Sequence, residues 1–297
     1  MPSSRPRRPG RTLATLIVVA LLVAGGLLAW NKVTGAERSF TARCVAGTDG
    51  DAAALTLEQS DIAALIGAIA LERELPARAL TIAIATAMQE SRLRNLDYGD
   101  RDSLGVFQQR PSQDWGTAEQ VMDPYYATNA FFDVLVTIEG YRDLEVTDAA
   151  QRVQRSAFPN AYAQHESLAR LFASAMSGYS PGTLTCRLPA VDPETASGLG
   201  DRLVERLALD LPSLAAQADS ERWVISAVAL GAGDRHAERM GWAVATWVLM
   251  TAEHTGASVV TVNGQVWQRA DGAEASWRPL AEGEPGYDDA AGVVGVR

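Results

Sequence analysis

At 297 residues, with 47% hydrophobic and 21% charged side chains, the chain has globular composition and enough length for two modest cores, which excludes disorder as its default. Its formal net charge of −10 argues against nucleic acid or an anionic lipid surface as partner for the bulk of the chain. That bulk becomes more acidic still when Arg5, Arg7, Arg8 and Arg11 at the N-terminus are set aside.

Residues 1–12 read as a cytoplasmic tail. Leu13 to Trp30 is uncharged and rich in Leu, Val and Ala, and at about 1.5 Å per residue it is just long enough to cross a bilayer as one transmembrane helix. The four arginines precede it and only Lys32 follows closely, so the positive-inside bias keeps the N-terminus in the cytoplasm and places the rest outside. A cleaved signal peptide is the alternative, with Thr34-Gly35-Ala36 as a poor cleavage site. Residues 31–51 are polar and read as a stalk.

Ser60 or Asp61 is expected to cap a helix through Ile62, Leu65, Ile66 and Ile69, and Pro76 to open a second that runs to about Arg92. Asn95 to Ser103 reads as a loop, and 118–138 and 149–172 return to helical periodicity. This first domain, 52–186, is therefore mainly helical. Cys44 and Cys186 are the only cysteines; both lie beyond the membrane segment, where an oxidising compartment favours a bridge between them over two free thiols.

Residues 187–198, with two prolines, read as a linker. Beyond it, 199–218 is expected to be a helix, Trp223 to Leu230 a strand and Ala237 to Thr255 an amphipathic helix. Val259 to Val262 and Gln265 to Gln268 alternate across Asn263-Gly264, a strong hairpin signal. The second domain, 199–280, is then small and α+β, and 281–297 reads as a loose tail.

Glu90 ends a helix whose other positions, Leu80, Ile82, Ile84, Ala87 and Met88, are apolar. Desolvation and the negative helix end both raise a carboxyl pKa there, as a general acid requires, although an inert helix-end glutamate would look the same. Trp115, Tyr125 and Tyr126 lie where sugar-stacking aromatics would be useful, or are simply half-buried.

Gln89-Glu90-Ser91, followed by Ser103-Leu104-Gly105-Val106-Phe107-Gln108-Gln109-Arg110-Pro111, resembles the soluble lytic transglycosylases, a lysozyme-like family. Weaker likeness continues through Asp123 to Ala130 and Val153 to Tyr162, so that it covers roughly Leu55 to Phe172. The chain is also similar to a branch of actinobacterial exported proteins with the same segments. It departs from the family in having Phe107 in place of Met, and Phe158-Pro159-Asn160 in place of an Asn-Ala-Gly loop.

The resemblance implies a lysozyme-like fold acting on the β-1,4-glycan of peptidoglycan. Glu90 matches the general acid/base, Ser91 its oriented neighbour, Gln108 the cleft-floor amide and Tyr162 the tyrosine near the acid. Gln109 and Tyr125 join Ser91, Gln108 and Tyr162 as expected substrate contacts. A lytic transglycosylase needs one carboxyl, which protonates the glycosidic oxygen and then takes the proton of the C6 hydroxyl; a hydrolase needs a second. Asp97, Asp100 and Asp102 are the available seconds, although such a loop is more often solvated or arginine-paired. The single-acid chemistry is preferred.

The C-terminal part is similar to a module found behind lytic domains, some versions of which resemble zinc D-alanyl peptidases. Its only histidines, His236 and His254, with His165 upstream, lack a zinc-site spacing, so neither metal nor cofactor is expected. The rival function is a non-catalytic peptidoglycan-binding or scaffold protein on the same fold, with an unidentified cell-wall protein as a further partner. Fractionation tests the anchor: full-length chain is expected in the membrane with its C-terminal part open to external protease, and a mature N-terminus near Glu37 would refute it.

Overall fold

A computed structural model describes residues 41–48, 50–156, 160–231 and 234–297. The expected membrane segment, Leu13 to Trp30, lies outside them, and among the described residues no helix is long and apolar enough to cross a membrane. In chain order the elements are β1 (Arg43–Thr48), β2 (Asp51–Thr56), α1 (Leu57–Glu72), α2 (Ala77–Ser91), α3 (Ala118–Met122), α4 (Pro124–Thr137), α5 (Val146–Gln154), α6 (Glu166–Met176) and β3 (Leu184–Arg187). There follow α7 (Pro193–Ser197), α8 (Leu199–Asp210), β4 (Ala216–Asp219), β5 (Arg222–Ser226), α9 (Asp234–Met250), α10 (Ala252–Thr255), β6 (Val259–Val262), β7 (Gln265–Gln268), β8 (Arg278–Pro279) and β9 (Val293–Val296). Helix dominates up to Met176 and helices mix with sheet beyond it, the coarse division the sequence suggests.

Helix boundaries follow local chemistry. The cap of α1 lies four residues ahead of the expected Ser60, because Thr56 and Gln59 form a reciprocal capping box. Pro76 occupies the N-cap position of α2 in an extended conformation, just ahead of its first residue, with no side-chain cap. The helix expected over 199–218 stops at Asp210, since Leu211 precedes Pro212 and is held out of the helical region. The strand expected to reach Leu230 ends at Ser226 and gives way to a 3₁₀ turn.

Two further expectations are corrected. The stalk over 31–51 includes β1, whose inward residues Cys44 and Ala46 are fully buried. β1 is the middle strand of an antiparallel sheet in the order β2-β1-β3. Cys44 and Cys186 sit directly opposite each other on β1 and β3 and form the expected disulfide. Closing a loop of this span, with a sequence separation of 142, is worth about 4 to 5 kcal/mol in the chain-entropy account.

The other correction concerns the tail. Val293–Val296 is not loose: β9 lies inside an antiparallel sheet of order β4-β5-β9-β6-β7-β8. Val294 and Val296 are buried, and apolar alternation in this short run outweighs the Gly- and acid-rich residues before it. The Asn263-Gly264 hairpin forms as expected, with positive φ at both turn residues.

The helical and α+β parts share one hydrophobic core, and residues 42–297 form one compact unit. α9 joins them: residues 240–250 are buried on every side, as expected for a helix packed all round, and α9 contacts α1 and α6 as well as β3, β6 and β9. The expected linker is pinned, because the buried Arg269 donates to the carbonyls of Pro189, Ala252 and Ala257 at 2.5, 3.0 and 3.4 Å.

A polar knot also crosses between the parts. Asp210, 1% exposed, accepts from Arg206 at 2.8 Å, Trp247 at 2.7 Å and Tyr125 at 2.6 Å, while Arg206 reaches Asp61 at 2.8 Å. Asp210→Leu should therefore destabilise by roughly 3 kcal/mol, because it leaves a buried guanidinium and two buried donors short of an acceptor. Denaturant unfolding of the 42–297 fragment measures this, and a loss below about 1 kcal/mol would show that the knot is dispensable.

Candidate active site

Glu90 lies in the last turn of α2, which ends at Ser91 because Arg92 and then Leu93 take left-handed backbone conformations, with φ 58° and 54°. The helix is apolar and buried over 79–87, so the Glu90 carboxyl emerges half-buried where the core meets the polar loop. It opens into a cleft of ≈ 380 Å³ whose walls include Ser103, Gln108, Trp115, Gln154 and Arg155.

The Tyr162 hydroxyl, itself fully buried, donates to Glu90 Oε1 at 2.7 Å. Burial raises the Glu90 pKa above the ordinary carboxyl value, and hydrogen bonds from Tyr162 and Gln154 offset part of that rise. Burial, then the charge of Glu90 and the bond to it, push the Tyr162 phenol upward in turn, so it stays a donor at neutral pH. The segment carrying Tyr162 is fastened to the end of α2. Gln89 Oε1 accepts from Gln164 at 3.0 Å and lies 3.2 Å from His165 Nε2, which must carry its proton to donate there.

The cleft floor is the segment after Gly105. Leu104 and Gln109 exchange two backbone hydrogen bonds at 3.0 Å, closing a tight turn. Gly105 sits at φ 76° with its α-carbon so near the Val121 carbonyl that any Cβ would lie 2.1 Å from that oxygen. Phe107 points down into the core and stacks on Phe131 at 4.6 Å between centroids, which gives the departure from Met a packing rationale. Gln108 faces the cleft and donates to the Tyr98 and Gly105 carbonyls, each at 3.3 Å.

Of the expected site residues, Glu90 and Gln108 line one cleft, with Trp115 on its wall, while Tyr162 is fully buried and meets the cleft only through its bond to Glu90. The other three have structural posts. Ser91 is buried and donates to the Val106 carbonyl at 2.7 Å, tying the helix end to the cleft floor. Gln109 is 2% exposed and donates to the Ala127 carbonyl at 3.0 Å. The Tyr125 hydroxyl is taken by Asp210. The polar ends of these three are turned into the protein, unlike that of Gln108.

Among the candidate second carboxylates, Asp102 is occupied. It accepts from the Ser112 backbone at 2.8 Å, Arg110 at 2.8 Å and the Ser112 hydroxyl at 3.0 Å, and these bonds hold it well below the usual carboxylate range. Asp100 borders the cleft but is exposed.

His165 binds Gln89, and His236 lies between the Leu230 carbonyl and Arg239. Among the described residues, no group of three or more His, Cys, Asp or Glu side chains is placed to hold a metal.

The sequence reading passed over Gln154 and Arg155, which line the same cleft from the end of α5. The signal available was their place near the start of the Val153 to Tyr162 segment of the resemblance; the left-handed backbone of Arg155, shared with Arg92, is visible only in the fold.

No protein-family model matches the chain, and no curated protein matches it in sequence.

Removing the Tyr162 hydroxyl deletes a bond that favours the ionised carboxylate, so Tyr162→Phe should raise the Glu90 pKa further, by about one pH unit or less for one hydrogen bond. Carbon-13 NMR titration of the Glu90 carboxyl measures this; an unchanged or lowered midpoint would mean that the bond does not govern the acid.

Proposed function

We propose that the protein cleaves the β-1,4-glycan backbone of peptidoglycan outside the cytoplasm, with Glu90 as the general acid/base of a lytic transglycosylase-like reaction on a lysozyme-like domain. The observation that carries this reading is Glu90 itself: a half-buried carboxyl with a raised pKa, bonded to Tyr162 and facing a polar cleft with an aromatic wall. A carboxyl whose pKa is raised by burial keeps its proton to higher pH than an exposed one and can give it to a glycosidic oxygen.

In the reaction, Glu90 protonates the bridging oxygen as the C1–O bond breaks, and its carboxylate then removes the proton of the C6 hydroxyl as that oxygen closes on C1. Proton and electron pairs balance with no added water, and Glu90 returns to its acid form. The engagement of Asp102 with Arg110 and Ser112 supports one acid over two. The Cys44–Cys186 bridge supports an oxidising, extracytoplasmic location, in keeping with an anchor at 13–30. The glycan strand is the proposed partner.

Glu90→Gln keeps size and removes the transferable proton. Cleavage of purified peptidoglycan should fall by about a hundredfold or more while glycan binding persists. Because the folded-state pKa is raised, ionisation of Glu90 costs stability once pH rises from the unfolded value through the folded one, so the variant should melt no lower than wild type at neutral pH. Wild-type cleavage should also decline as pH rises through the Glu90 pKa. Mass spectrometry of the products decides the chemistry: 1,6-anhydro ends support it, reducing ends indicate a hydrolase, and no cleavage by wild type leaves a binding module.

A further inference from the structure

Gln154 is the last residue of α5, and its side chain leaves the helix toward the cleft rather than toward solvent. Its Nε2 donates to the Phe107 carbonyl at 2.7 Å, next to Gln108 on the cleft floor. A primary amide has two N–H groups, so one bond leaves a second donor free. Gln154 and Glu90 line the same cleft, where hydrogen bonding from this amide favours the ionised Glu90 carboxyl, as the Tyr162 hydroxyl does from another element. Gln154 also lines an adjoining cavity of ≈ 230 Å³ with Trp115 and Arg155, so it stands where two parts of the cleft meet.

From this geometry we infer that Gln154 is a positioning residue: its amide fastens the Glu90 carboxyl to the Phe107 carbonyl and so sets the angle at which the acid faces the cleft. With two donors arriving from α5 and from the Tyr162 segment, the carboxyl loses the rotation a helix-end glutamate otherwise has, and holding a reacting group in one orientation is worth a substantial part of a barrier. The inference rests on Glu90 being the reactive carboxyl.

The other charged and titratable groups facing the cleft are Asp100, Arg101 and Arg110 from the loop before and along the floor, and Arg155 from the cap of α5. Arg110 is engaged by Asp102, and Arg101 lies 4.0 Å from Asp100. None of these is altered by changing the neutral Gln154, so a shift in Glu90 on its replacement reports the amide itself.

The test is Gln154→Met in the full-length chain, read in two ways. Carbon-13 NMR of the Glu90 carboxyl should show its midpoint moved to higher pH, because a donor to the ionised form is gone. Peptidoglycan cleavage should fall about tenfold in kcat with KM little changed, and its high-pH limb should move with the NMR midpoint. A merely structural glutamine would lower the melting temperature and leave both the midpoint and the limb in place, and that outcome overturns the inference. Should Gln154→Met fail to fold, Gln154→Asn, whose shorter amide cannot span both partners, is read by the same two measurements. If wild type cleaves no glycan, the proposed function falls while the carboxyl titration still decides whether Gln154 holds Glu90.

Discussion

Asp210 is the constraint on which the rest of the molecule depends. Its carboxylate is closed to water and has three donors, one from its own helix, one from α9 and one from α4. A buried carboxylate is tolerable only when such donors replace its hydration. The arrangement therefore fixes α8 and α9 against the helices that carry the acid site, through Tyr125 on α4 and, by way of Arg206, Asp61 on α1. A hydrophobic contact of similar area would hold these helices together without specifying their rotation. Four directional bonds specify it, and the cleft above α2 inherits that precision.

Around Glu90 the balance runs the other way. There a carboxyl is deliberately under-solvated, and its two donors are too few to cancel the cost of burial. The contrast between the two acids is physical: Asp210 is held by an adjacent guanidinium, whereas Glu90 has neutral partners, a phenol and an amide. Neutral donors orient a carboxyl without locking it in the ionised form, which is what the acid/base role proposed for Glu90 requires.

Much of this was legible in the chain. Apolar periodicity located α1, α2 and α9, the Asn263-Gly264 turn located its hairpin, and two lone cysteines located their bridge. The site was legible where chemistry sits in a contiguous motif, from Gly105 through Gln108, or where a resemblance carried a distant residue such as Tyr162 to Glu90. What escaped was set by partners far away in sequence. Ser91, Gln109 and Tyr125 carry polar ends suited to a ligand, and only the fold shows that Val106, Ala127 and Asp210 already occupy them. Gln154 escaped for a related reason: it lies in the weaker part of the resemblance, and its place against the cleft floor is set by the distant Phe107 carbonyl. β9 was missed because four residues after a glycine-rich run give too short a period to read.

The position of β9 has a kinetic consequence. Its neighbours are β5 and β6, and β5 lies some way upstream in the chain, beyond the whole of α9. Until β9 inserts, β5 and β6 each present an unpaired edge with apolar side chains, including Ile225 and Val260. Such edges form late in sheets built from distant segments and are sticky while they wait. The helical part, rich in local contacts, closes sooner. Refolding at high protein concentration is thus a competition between insertion of one short strand and association of two open edges on neighbouring molecules, so dilution favours the native sheet.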